Sequence, residues 1–432
     1  MPGTLAPRPV DGPRAGKTEM IPGVRGTRDI VPGDVERWQR VEAVARDVCG
    51  RYGYRELRTP IIEREELFAK GTGASTDIVQ KEMYAFTDKG GERVTLRPEA
   101  TPGMVRAFVE HALEQSLPVP KLFTIGPMFR YERPQKGRYR QFHQLNVEVF
   151  GVADAALDAE VIEMACTFVE TLAIQGAELV INSVGCPECR PEFSEALLKA
   201  LGEDLPKLCG DCQRRAATNP LRIFDCKVAA DQPIIDQLPH SVDYLCDGCR
   251  EHFEAVQRYL RAYEQPFRLS HRLVRGLDYY TRTTFEILAS QLGAQNALLG
   301  GGRYDGLVKK LGGADRPGIG FAAGLERLVL ALPGTDDEVA PDVFVAALGE
   351  GAREAAFVLA RALRASGLQT LVDYEPRSAK AQLKRANRAR ARYTVIVGDD
   401  ELARGEVTVK TMATGEQQSI ARDGVVAALS SS

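Results

Sequence analysis

The chain has 432 residues, which at about 150 residues per domain predicts two or three domains. Hydrophobic residues make up 44% of it and charged residues 27%, so a wholly disordered or fibrous protein is excluded. The net charge of −3 provides no overall basic surface, and any nucleic-acid binding must therefore use local patches. Because no run of about 18 apolar residues occurs, we expect no transmembrane helix and no membrane partner.

The amino-terminal segment and the cysteines indicate the compartment. Residues 1–20 are rich in Pro, Gly and Ala and lack the apolar segment of a secretory signal, so we interpret them as a disordered leader. The nine cysteines are an odd number, which argues against a secreted disulfide scaffold. Together these features predict a cytoplasmic protein.

Periodicity predicts the elements of the first 182 residues. Apolar residues at steps of three and four predict an amphipathic helix over residues 35–52. A short strand is expected to start at Pro60, followed by a helix over 65–70 that stops at Gly71-Thr72-Gly73. Strands over 121–132 and 139–150, joined by a polar link, predict a long antiparallel hairpin. A helix over 154–176 and a strand over 178–182 complete this part.

The remaining chain divides into an insertion, a continuation of the preceding part and a separate domain. A cysteine-rich stretch from 186 to 266 interrupts the pattern and is interpreted as an insertion. After it, residues 275–287 favour strand, Gly300-Gly301-Gly302 predicts a turn, and 321–332 predict a helix. Residues 333–338 have the composition of a linker. Beyond it strands over 343–348, 370–374 and 393–398 alternate with helices over 352–366 and 378–390, and short segments over 406–412 and 416–420 end a small α/β domain.

The predicted hairpin carries polar residues where a core strand would carry apolar ones. Side chains alternate between faces, so Arg140, Gln144 and Glu148 share one face, as do Arg130 and Glu132 on the partner strand. A solvent-exposed polar face is the alternative, because antiparallel sheets allow one. An arginine beside carboxylates suits a substrate that bears both phosphate and amino groups.

Several segments resemble class II aminoacyl-tRNA synthetases in their histidyl form. FRYE (129–132), RPQKGRYR (133–140) and QFHQLNVEVFG (141–151) look like motif 2, and GLER within GIGFAAGLERL (318–328) resembles motif 3. RGLDYYTRTTFE (275–286) resembles the histidine-recognition motif of these enzymes. Further matches are GVRGTRDI (23–30), TLRPEAT (95–101), GGGRYDGL (300–307) and, for the anticodon-binding domain, SAKAQLKRANRARARYTVIVGDDEL (378–402).

The resemblance implies an α+β fold and a two-step reaction. A six-stranded antiparallel catalytic sheet would come from residues 21–185 and 267–333, with a small domain inserted at 186–266 and a C-terminal α/β anticodon-binding domain at 341–432. Two chains would form a homodimer, partly through motif 1 around Pro60. L-Histidine and ATP, with Mg²⁺, would give histidyl-adenylate and pyrophosphate, and the histidyl group would then pass to histidine tRNA.

The resemblance also assigns ATP-binding and catalytic residues. Arg130 would fork onto the α-phosphate and Arg327 would hold the γ-phosphate. Arg275 would be catalytic, placing a guanidinium between the substrate carboxylate and the α-phosphate. The alternative for Arg275 is a salt bridge with Asp278. Small residues near motif 3 would leave room for the adenine, namely Gly318, Gly320, Ala322, Ala323 and Gly324; tight packing is the alternative reason for their small size.

The resemblance also implies which residues bind histidine and tRNA. Glu99, Thr101 and Gln144 would hold the α-amino group of histidine. Glu148 and Tyr280 would bind its imidazole, while Tyr279 and Tyr304 would complete the pocket; sheet packing is the alternative for the adjacent tyrosines. Arg133, Gln135 and Arg140 in the basic loop would contact the tRNA acceptor end and its extra guanosine, unless the loop is a solvated turn.

Two further patterns leave alternatives open. Residues 377–392 contain seven basic residues and no acidic one, which favours phosphate contact at the anticodon stem, with a solvated helix face as the alternative. Three Cys-x₂-Cys pairs, 186/189, 209/212 and 246/249, have the spacing of tetrahedral zinc sites, and two of them would form one structural site. Free thiols packed as small hydrophobes are the alternative, and the spacing does not say which pairs cooperate.

Two rival functions remain. One is a non-catalytic paralogue that regulates a phosphoribosyltransferase of histidine biosynthesis, and the other is a tRNA-binding module with an inactive catalytic domain. A regulatory paralogue would be expected to lose Arg130, Arg327, the basic loop and the last 90 or so residues, all of which this sequence keeps.

Overall fold

A computed structural model describes residues 21–74, 76–135, 137–334 and 340–430. The predicted leader, Lys136 of the basic loop and most of the predicted linker lie outside these ranges. The described residues form two compact units, one up to residue 334 and one from residue 340. Within them, no helix is both long and apolar enough to cross a bilayer.

The first unit contains eleven strands and eleven α-helices in its described residues. The strands are β1 (Arg55–Glu56), β2 (Ile62–Arg64), β3 (Tyr84–Thr87), β4 (Arg93–Leu96), β5 (Lys121–Phe129), β6 (Gln141–Phe150), β7 (Ala177–Ser183), β8 (Arg268–Leu269), β9 (Thr281–Ala289), β10 (Ala297–Arg303) and β11 (Gly318–Gly324). The helices are α1 (Val35–Arg51), α2 (Glu65–Phe68), α3 (Thr101–Glu110), α4 (Leu113–Ser116), α5 (Ala155–Thr171), α6 (Arg190–Leu201), α7 (Gly210–Thr218), α8 (Gln232–Ile235), α9 (Asp247–Ala262), α10 (Leu307–Lys310) and α11 (Leu325–Ala331).

The main sheet has the strand order β1-β5-β6-β11-β10-β9-β7-β8. Its six inner strands are all antiparallel to their neighbours, as predicted, and the two-residue strands β1 and β8 add parallel pairs at the edges. The predicted hairpin is present as β5 and β6, with Gly126 opposite Gln144 and Leu122 opposite Glu148. A smaller sheet has the order β2-β4-β3.

Alternation along β6 separates the core from the polar face. Leu145, Val147 and Val149 are buried in the main hydrophobic cluster, which helices α1, α5, α9 and α11 also line. The intervening residues Gln144 and Glu148 therefore point to the opposite face of the sheet. That face carries the cavity described below.

Two predicted elements of the second catalytic part are wrong. Gly300-Gly301-Gly302 lies inside strand β10 rather than in a turn, because these glycines pass against neighbouring chain segments that leave no space for a Cβ. The helix expected over 321–332 begins only at Leu325, and residues 321–324 belong to β11 in the sheet. Short apolar runs do not distinguish strand from helix by periodicity, and sheet pairing decides here.

The bounds of one strand and one helix also differ from those predicted from the sequence. Residues 275–280, expected in a strand, form a loop before β9. The helix expected to stop at Gly71 instead continues after α2 as a π-helical turn over Ala69–Gly73, and a second such turn follows at Ile78–Glu82. In the first turn Gly71, Thr72 and Gly73 are buried, so close packing holds this conformation.

The inserted segment has a small core of its own. Residues between Val184 and Leu238, together with Val274, form a separate buried cluster that includes Phe193, Leu197 and Phe224. Short 3₁₀ turns supplement its helices, at Gly202–Lys207, Pro220–Asp225, Ala229–Asp231 and Ser241–Tyr244. The last helix, α9, belongs instead to the main core through Phe253, Val256 and Leu260.

The second unit is a five-stranded α/β sheet, as predicted. Its strands are β12 (Val343–Leu348), β13 (Thr370–Val372), β14 (Tyr393–Gly398), β15 (Glu406–Thr411) and β16 (Gln417–Ala421), and its helices are α12 (Glu350–Ala365), α13 (Ala379–Arg388), α14 (Asp399–Ala403) and α15 (Val425–Ser430). The order is β13-β12-β14-β15-β16, with the first three strands parallel and the last two antiparallel. The two short helices α14 and α15 were not expected from the sequence.

Candidate active site

A cavity of about 530 Å³ lies on the polar face of the main sheet. All ten side chains predicted for histidine, ATP and catalysis line it: Glu99, Thr101, Arg130, Gln144, Glu148, Arg275, Tyr279, Tyr280, Tyr304 and Arg327. These residues come from segments up to 228 positions apart, between Glu99 and Arg327. The fold therefore brings the predicted set into one place, although this alone does not assign their roles.

Glu99 is held by two hydroxyl donors. The hydroxyl of Thr72 donates to Glu99 Oε1 at 2.5 Å, and the hydroxyl of Tyr279 donates to Oε2 at 2.9 Å. Burial raises the pKa of Glu99, whereas Thr72, Arg130 and Tyr279 oppose that rise. The carboxyl thus has a fixed orientation in the cavity wall.

Glu148 has a matching arrangement from other elements. Thr101, at the start of α3, donates its hydroxyl to Glu148 Oε1 at 2.6 Å, and the Tyr304 hydroxyl donates to Oε2. Its side chain is buried, with 1% of its surface exposed. Burial raises the pKa of Glu148 to about 8, although Thr101 and Tyr304 lower it. A cationic or N–H-bearing ligand would stabilise the ionised form.

Two amide oxygens beside these carboxyls receive no hydrogen bond from the described residues. They are Gln144 Oε1 and Asn146 Oδ1, both buried on the cavity-lining face of β6. Buried polar atoms are normally satisfied, so such atoms in a cavity wall indicate a ligand that donates to them. This end of the cavity is therefore rich in acceptors.

Arg275 pairs with Glu286 rather than with Asp278. Its Nη1 atom forms a short ion pair with Glu286 on β9, and its guanidinium lies 5.8 Å from the ring centroid of Tyr280. Burial lowers the pKa of Arg275, but Glu286 and Tyr280 outweigh that effect and the pKa lies above its usual value. Asp278 instead accepts a hydrogen bond from Asn219 of the inserted segment at 2.9 Å. The salt bridge considered with Asp278 is therefore not the one that forms.

Arg130, directly after β5, and Arg327, in the first turn of α11, also line the cavity. Arg130 Nε donates to the carbonyl oxygen of Pro98 at 2.9 Å, which fixes it beside the Glu99 segment. Arg327 Nη1 donates to the carbonyl oxygen of Ala297 at 2.8 Å. Burial lowers the pKa of Arg327, and the positive charge of Arg138 lowers it further. Together with Arg275 they give this part of the cavity three guanidinium groups, which suit phosphate oxygens.

Glycines in the sheet make room for the cavity's own side chains. A Cβ on Gly300 would collide with the Arg275 guanidinium, one on Gly318 with the Tyr304 ring, and one on Gly320 with the Glu148 carboxyl. Space for adenine was the predicted role of Gly318 and Gly320. Both positions accommodate neighbouring side chains, and Gly320 lines the cavity together with Ala322 and Gly324.

The three predicted tRNA-binding residues lie outside the cavity lining. Arg133 and Gln135 are exposed, and the Gln135 backbone pairs with Arg138 across the loop. Arg140 packs its guanidinium over the Tyr131 ring at 3.9 Å and donates to the carbonyl oxygen of Arg25 at 3.2 Å. The loop thus presents Arg133 and Gln135 to solvent, while Arg140 supports its base.

Sequence reasoning missed several residues of the cavity. Asn146 could have been found, since it shares the alternating face of Gln144 and Glu148. Glu286 stands within the quoted histidine-recognition segment but received no role. Thr72 and the inserted-segment residues Arg222 and Lys227 carry no local signal, because only the folded chain brings them here.

The cysteines form two groups, and the first of them joins two of the three Cys-x₂-Cys pairs. Cys186 and Cys189 meet Cys246 and Cys249. Cys209 and Cys212 meet neither pair but lie with Cys226 and Asp231. Spacing could not reveal the second group, since Cys226 and Asp231 belong to no paired motif.

Comparisons with known proteins agree with this geometry. The family model described as histidyl-tRNA synthetase matches residues 26–328, and the model described as anticodon binding domain matches residues 342–432. The chain belongs to the histidyl-tRNA synthetase family. It is 51% identical to the histidine–tRNA ligase of Geobacter metallireducens over 94% of this chain and 98% of that protein. It is also 51% identical to the enzyme of Geobacter sulfurreducens, over 92% and 96% of the two chains.

A solved structure supports the same assignment. The crystal structure of apo S. aureus histidyl-tRNA synthetase superposes with a TM-score of 0.81 and 37% identity, covering 95% of this chain and all of that one. The predicted class II fold is thereby confirmed, with its antiparallel catalytic sheet and its C-terminal anticodon-binding domain.

Proposed function

We propose that this chain attaches L-histidine to histidine tRNA at the expense of ATP, through a histidyl-adenylate intermediate. The observation that carries the proposal is one cavity lined both by two buried carboxyls, Glu99 and Glu148, and by the guanidinium groups of Arg130, Arg275 and Arg327. Such a cavity matches an amino acid with a basic side chain on one side and a polyphosphate on the other. ATP is the second substrate and pyrophosphate the first product.

The acidic end would bind histidine. The Glu148 carboxylate would accept one imidazole N–H, and the Tyr280 hydroxyl would contact the other ring nitrogen. The α-ammonium group would donate to Glu99, Gln144 and Thr101. Tyr279 and Tyr304 support this pocket by donating to Glu99 and Glu148, which keeps both carboxyl groups oriented.

The basic end would bind ATP and promote adenylation. Arg130 would bind the α-phosphate and Arg327 the γ-phosphate. Arg275, fixed by Glu286, would lie between the attacking histidine carboxylate and the α-phosphate, where it reduces the repulsion between two anions. Its Nε atom is buried and has no hydrogen-bond partner among the described residues, which leaves a donor for substrate.

Magnesium would arrive with ATP. Carboxylate oxygens suit this ion, and Glu132 and Glu286 line the cavity close to the arginines. These two side chains would complete its coordination beside the phosphates. When bound, the ion neutralises phosphate charge.

The basic loop of the catalytic part and the C-terminal domain would bind tRNA. Arg133, Gln135 and Arg140 would contact the acceptor end, and the basic residues of 377–392 would contact the anticodon stem. We divide the chain into catalytic parts 21–185 and 267–333, an inserted domain 186–266 and an anticodon-binding domain 341–432. We place the protein in the cytoplasm.

A homodimer is proposed from the small sheet near Pro60. In β2 the usual burial is inverted: Ile62 is 53% exposed, whereas Glu63 is buried and accepts from Arg106 at 2.6 Å. Phe86, on strand β3 of the same small sheet, is 41% exposed. An exposed apolar sheet face of this kind favours contact with another chain. Light scattering of the purified protein would measure the mass, and Ile62→Glu should shift a dimer toward monomer.

The proposed reaction is tested by ATP–pyrophosphate exchange with each of the twenty amino acids. Histidine should support exchange and the others should not. A comparable kcat/KM with another amino acid would overturn the assignment of histidine as the substrate. No exchange with any amino acid would indicate an inactive catalytic domain.

A further inference from the structure

Seven of the nine cysteines lie in the inserted segment, and all seven belong to the two groups described above. Group I consists of Cys186, Cys189, Cys246 and Cys249. Group II consists of Cys209, Cys212, Cys226 and Asp231. In each group one side-chain ligand atom per residue lies within 4.8 Å of all the others.

The spacing of the sulfur atoms fits a tetrahedral metal ion. Cys186 Sγ lies 3.8 Å from both Cys189 Sγ and Cys246 Sγ, and Cys209 Sγ lies 3.9 Å from Cys226 Sγ. Four sulfurs around zinc at about 2.3 Å are separated by about 3.8 Å in a regular tetrahedron. Disulfides require a separation of about 2 Å, and all nine cysteines are free.

Group II contains an acidic ligand that packed thiols do not explain. Asp231 is buried, with 2% of its surface exposed, and its Oδ2 lies 3.2 Å from Cys226 Sγ. The same carboxyl accepts from the backbone N–H of Cys209 at 3.1 Å. A carboxylate enclosed by three cysteines is costly unless a cation neutralises it. A hydrophobic cluster of thiols would favour an apolar residue at this position.

Local backbone geometry also suits metal-bound thiolates. The backbone N–H of Cys186 donates to Cys189 Sγ at 3.2 Å, and that of Val228 donates to Cys226 Sγ at 3.4 Å. Cys209 and Cys246 directly precede helices α7 and α9, whose amino-terminal dipoles favour negative charge. Each group therefore has a backbone N–H donor to a sulfur atom and a helix amino terminus beside it, which suits sulfur ligands bound to a cation.

We infer that the inserted segment binds two zinc ions, one at the four cysteines of group I and one at the three cysteines and Asp231 of group II. Each ion would have four protein ligands and no open position, which is the arrangement of structural rather than catalytic zinc. Thiolate-rich tetrahedral sites select zinc among the common divalent ions.

Group I would tie the two ends of the inserted segment to the catalytic sheet. Cys186 and Cys189 follow β7, whereas Cys246 and Cys249 begin α9 of the main core. Arg190, next to Cys189, donates to the backbone oxygen of Tyr280 at 2.6 Å. The first ion would thus fix the wall that carries Tyr280.

Group II would hold the rim of the cavity. Cys226 lies between Asp225 and Lys227, which both line the cavity, as does Arg222 of the preceding 3₁₀ turn. The second ion would fix this segment against helix α7. The idea that this segment borders a substrate site rests on the proposed function, whereas zinc binding itself does not.

Zinc content tests the inference directly. Full-length protein, purified without metal-affinity columns from cells supplied with zinc, should contain two zinc ions per chain by inductively coupled plasma mass spectrometry. A content of one zinc ion per chain would overturn the two-site assignment, and a content far below one would overturn both sites. This readout does not depend on activity, so its failure is distinct from failure of the proposed reaction.

Paired variants locate each ion. Cys246→Ala with Cys249→Ala should remove one equivalent, and Cys209→Ala with Cys226→Ala should remove the other. Cys49→Ala with Cys166→Ala is the matched control, because these buried cysteines lie outside both groups, and it should retain two. Equal zinc content in all three double variants would contradict the ligand assignments.

X-ray absorption on the wild-type protein avoids any folding defect of the variants. Four sulfurs at group I and three at group II give an average of 3.5 sulfur ligands per zinc, with the remainder oxygen. A purely sulfur shell would overturn the role of Asp231. Asp231→Asn, which keeps the size of the side chain, should lose one zinc ion to a chelator faster than wild type, and an unchanged loss rate would contradict ligation.

Discussion

Replacing Glu148 with glutamine should weaken histidine binding while stabilising the fold. The buried carboxyl accepts hydroxyl hydrogen bonds from Thr101 and Tyr304. Glutamine has nearly the same shape, and either hydroxyl can rotate to accept from its amide. The substitution therefore removes the carboxyl group that would accept the imidazole N–H in its ionised form, without opening a cavity.

The expected loss of binding follows from the hydrogen bond removed. A hydrogen bond to a charged group contributes about 1.5–3 kcal/mol, which corresponds to roughly a 10- to 150-fold change in an equilibrium constant. In Glu148→Gln the KM for histidine in pyrophosphate exchange should rise by about that factor. The KM for ATP should stay near its wild-type value, because the proposed phosphate contacts are made by Arg130 and Arg327 and not by Glu148.

Stability should change in the opposite direction. Burial raises the pKa of Glu148 from 4.5 in the unfolded chain to about 8 in the folded protein. Between these values the native protein binds a proton that the unfolded chain has released, so the contribution of Glu148 to stability falls as the pH rises toward 8. The slope is at most about 1.4 kcal/mol per pH unit. Glutamine does not titrate, so the variant should gain thermal stability over wild type as the pH increases.

Glu163→Gln is a matched control for both measurements. Glu163 also accepts from one tyrosine and one threonine hydroxyl, those of Tyr52 and Thr167, but it lies outside the cavity. Its substitution should leave the KM for histidine unchanged. An unchanged KM in Glu148→Gln, or a melting temperature that falls relative to wild type as the pH is raised from about 6 to about 8, would refute the reasoning.

The other predictions concern transition-state charge, tRNA transfer and close packing. Arg275→Lys should lower kcat for exchange by about 10²–10³-fold with both KM values within a few-fold, and a near wild-type rate would make Arg275 a scaffold residue. Arg133→Ala with Gln135→Ala should leave exchange nearly intact but slow histidine transfer to tRNA, and equal losses in both assays would indicate a structural loop. Gly320→Ala should cost about 1–3 kcal/mol in unfolding free energy, because its Cβ meets the Glu148 carboxyl and the Val147 carbonyl, and unchanged denaturant unfolding would contradict this packing.

The sequence predicted best the elements whose periodicity is long and regular. Helix α1 was expected over 35–52 and is found over Val35–Arg51, and the polar hairpin face was expected from the alternation of Gln144 and Glu148. The identity of the cavity residues came from family motifs. No local pattern would have joined Glu99 to Arg275 across the chain.

The sequence-based expectations that were wrong have a common physical cause, because tertiary contacts decided the structure at those positions. Glycine is a poor strand former, so three consecutive glycines predicted a turn, yet the close approach of Arg275, Phe321 and Thr283 requires glycine within β10. The partner of Arg275 was likewise set by the pairing of β9 with β10, which places Glu286 opposite Gly300. Sequence proximity had suggested Asp278 instead.

Aminoacylation of tRNA is the most direct test of the proposed activity. The purified protein would be incubated with ATP, Mg²⁺, deacylated total tRNA and all twenty amino acids, and the amino acids esterified to tRNA would be identified by mass spectrometry. We predict that histidine is the one amino acid found, and that it is attached to histidine tRNA. No histidyl ester, or a different amino acid in its place, would contradict it.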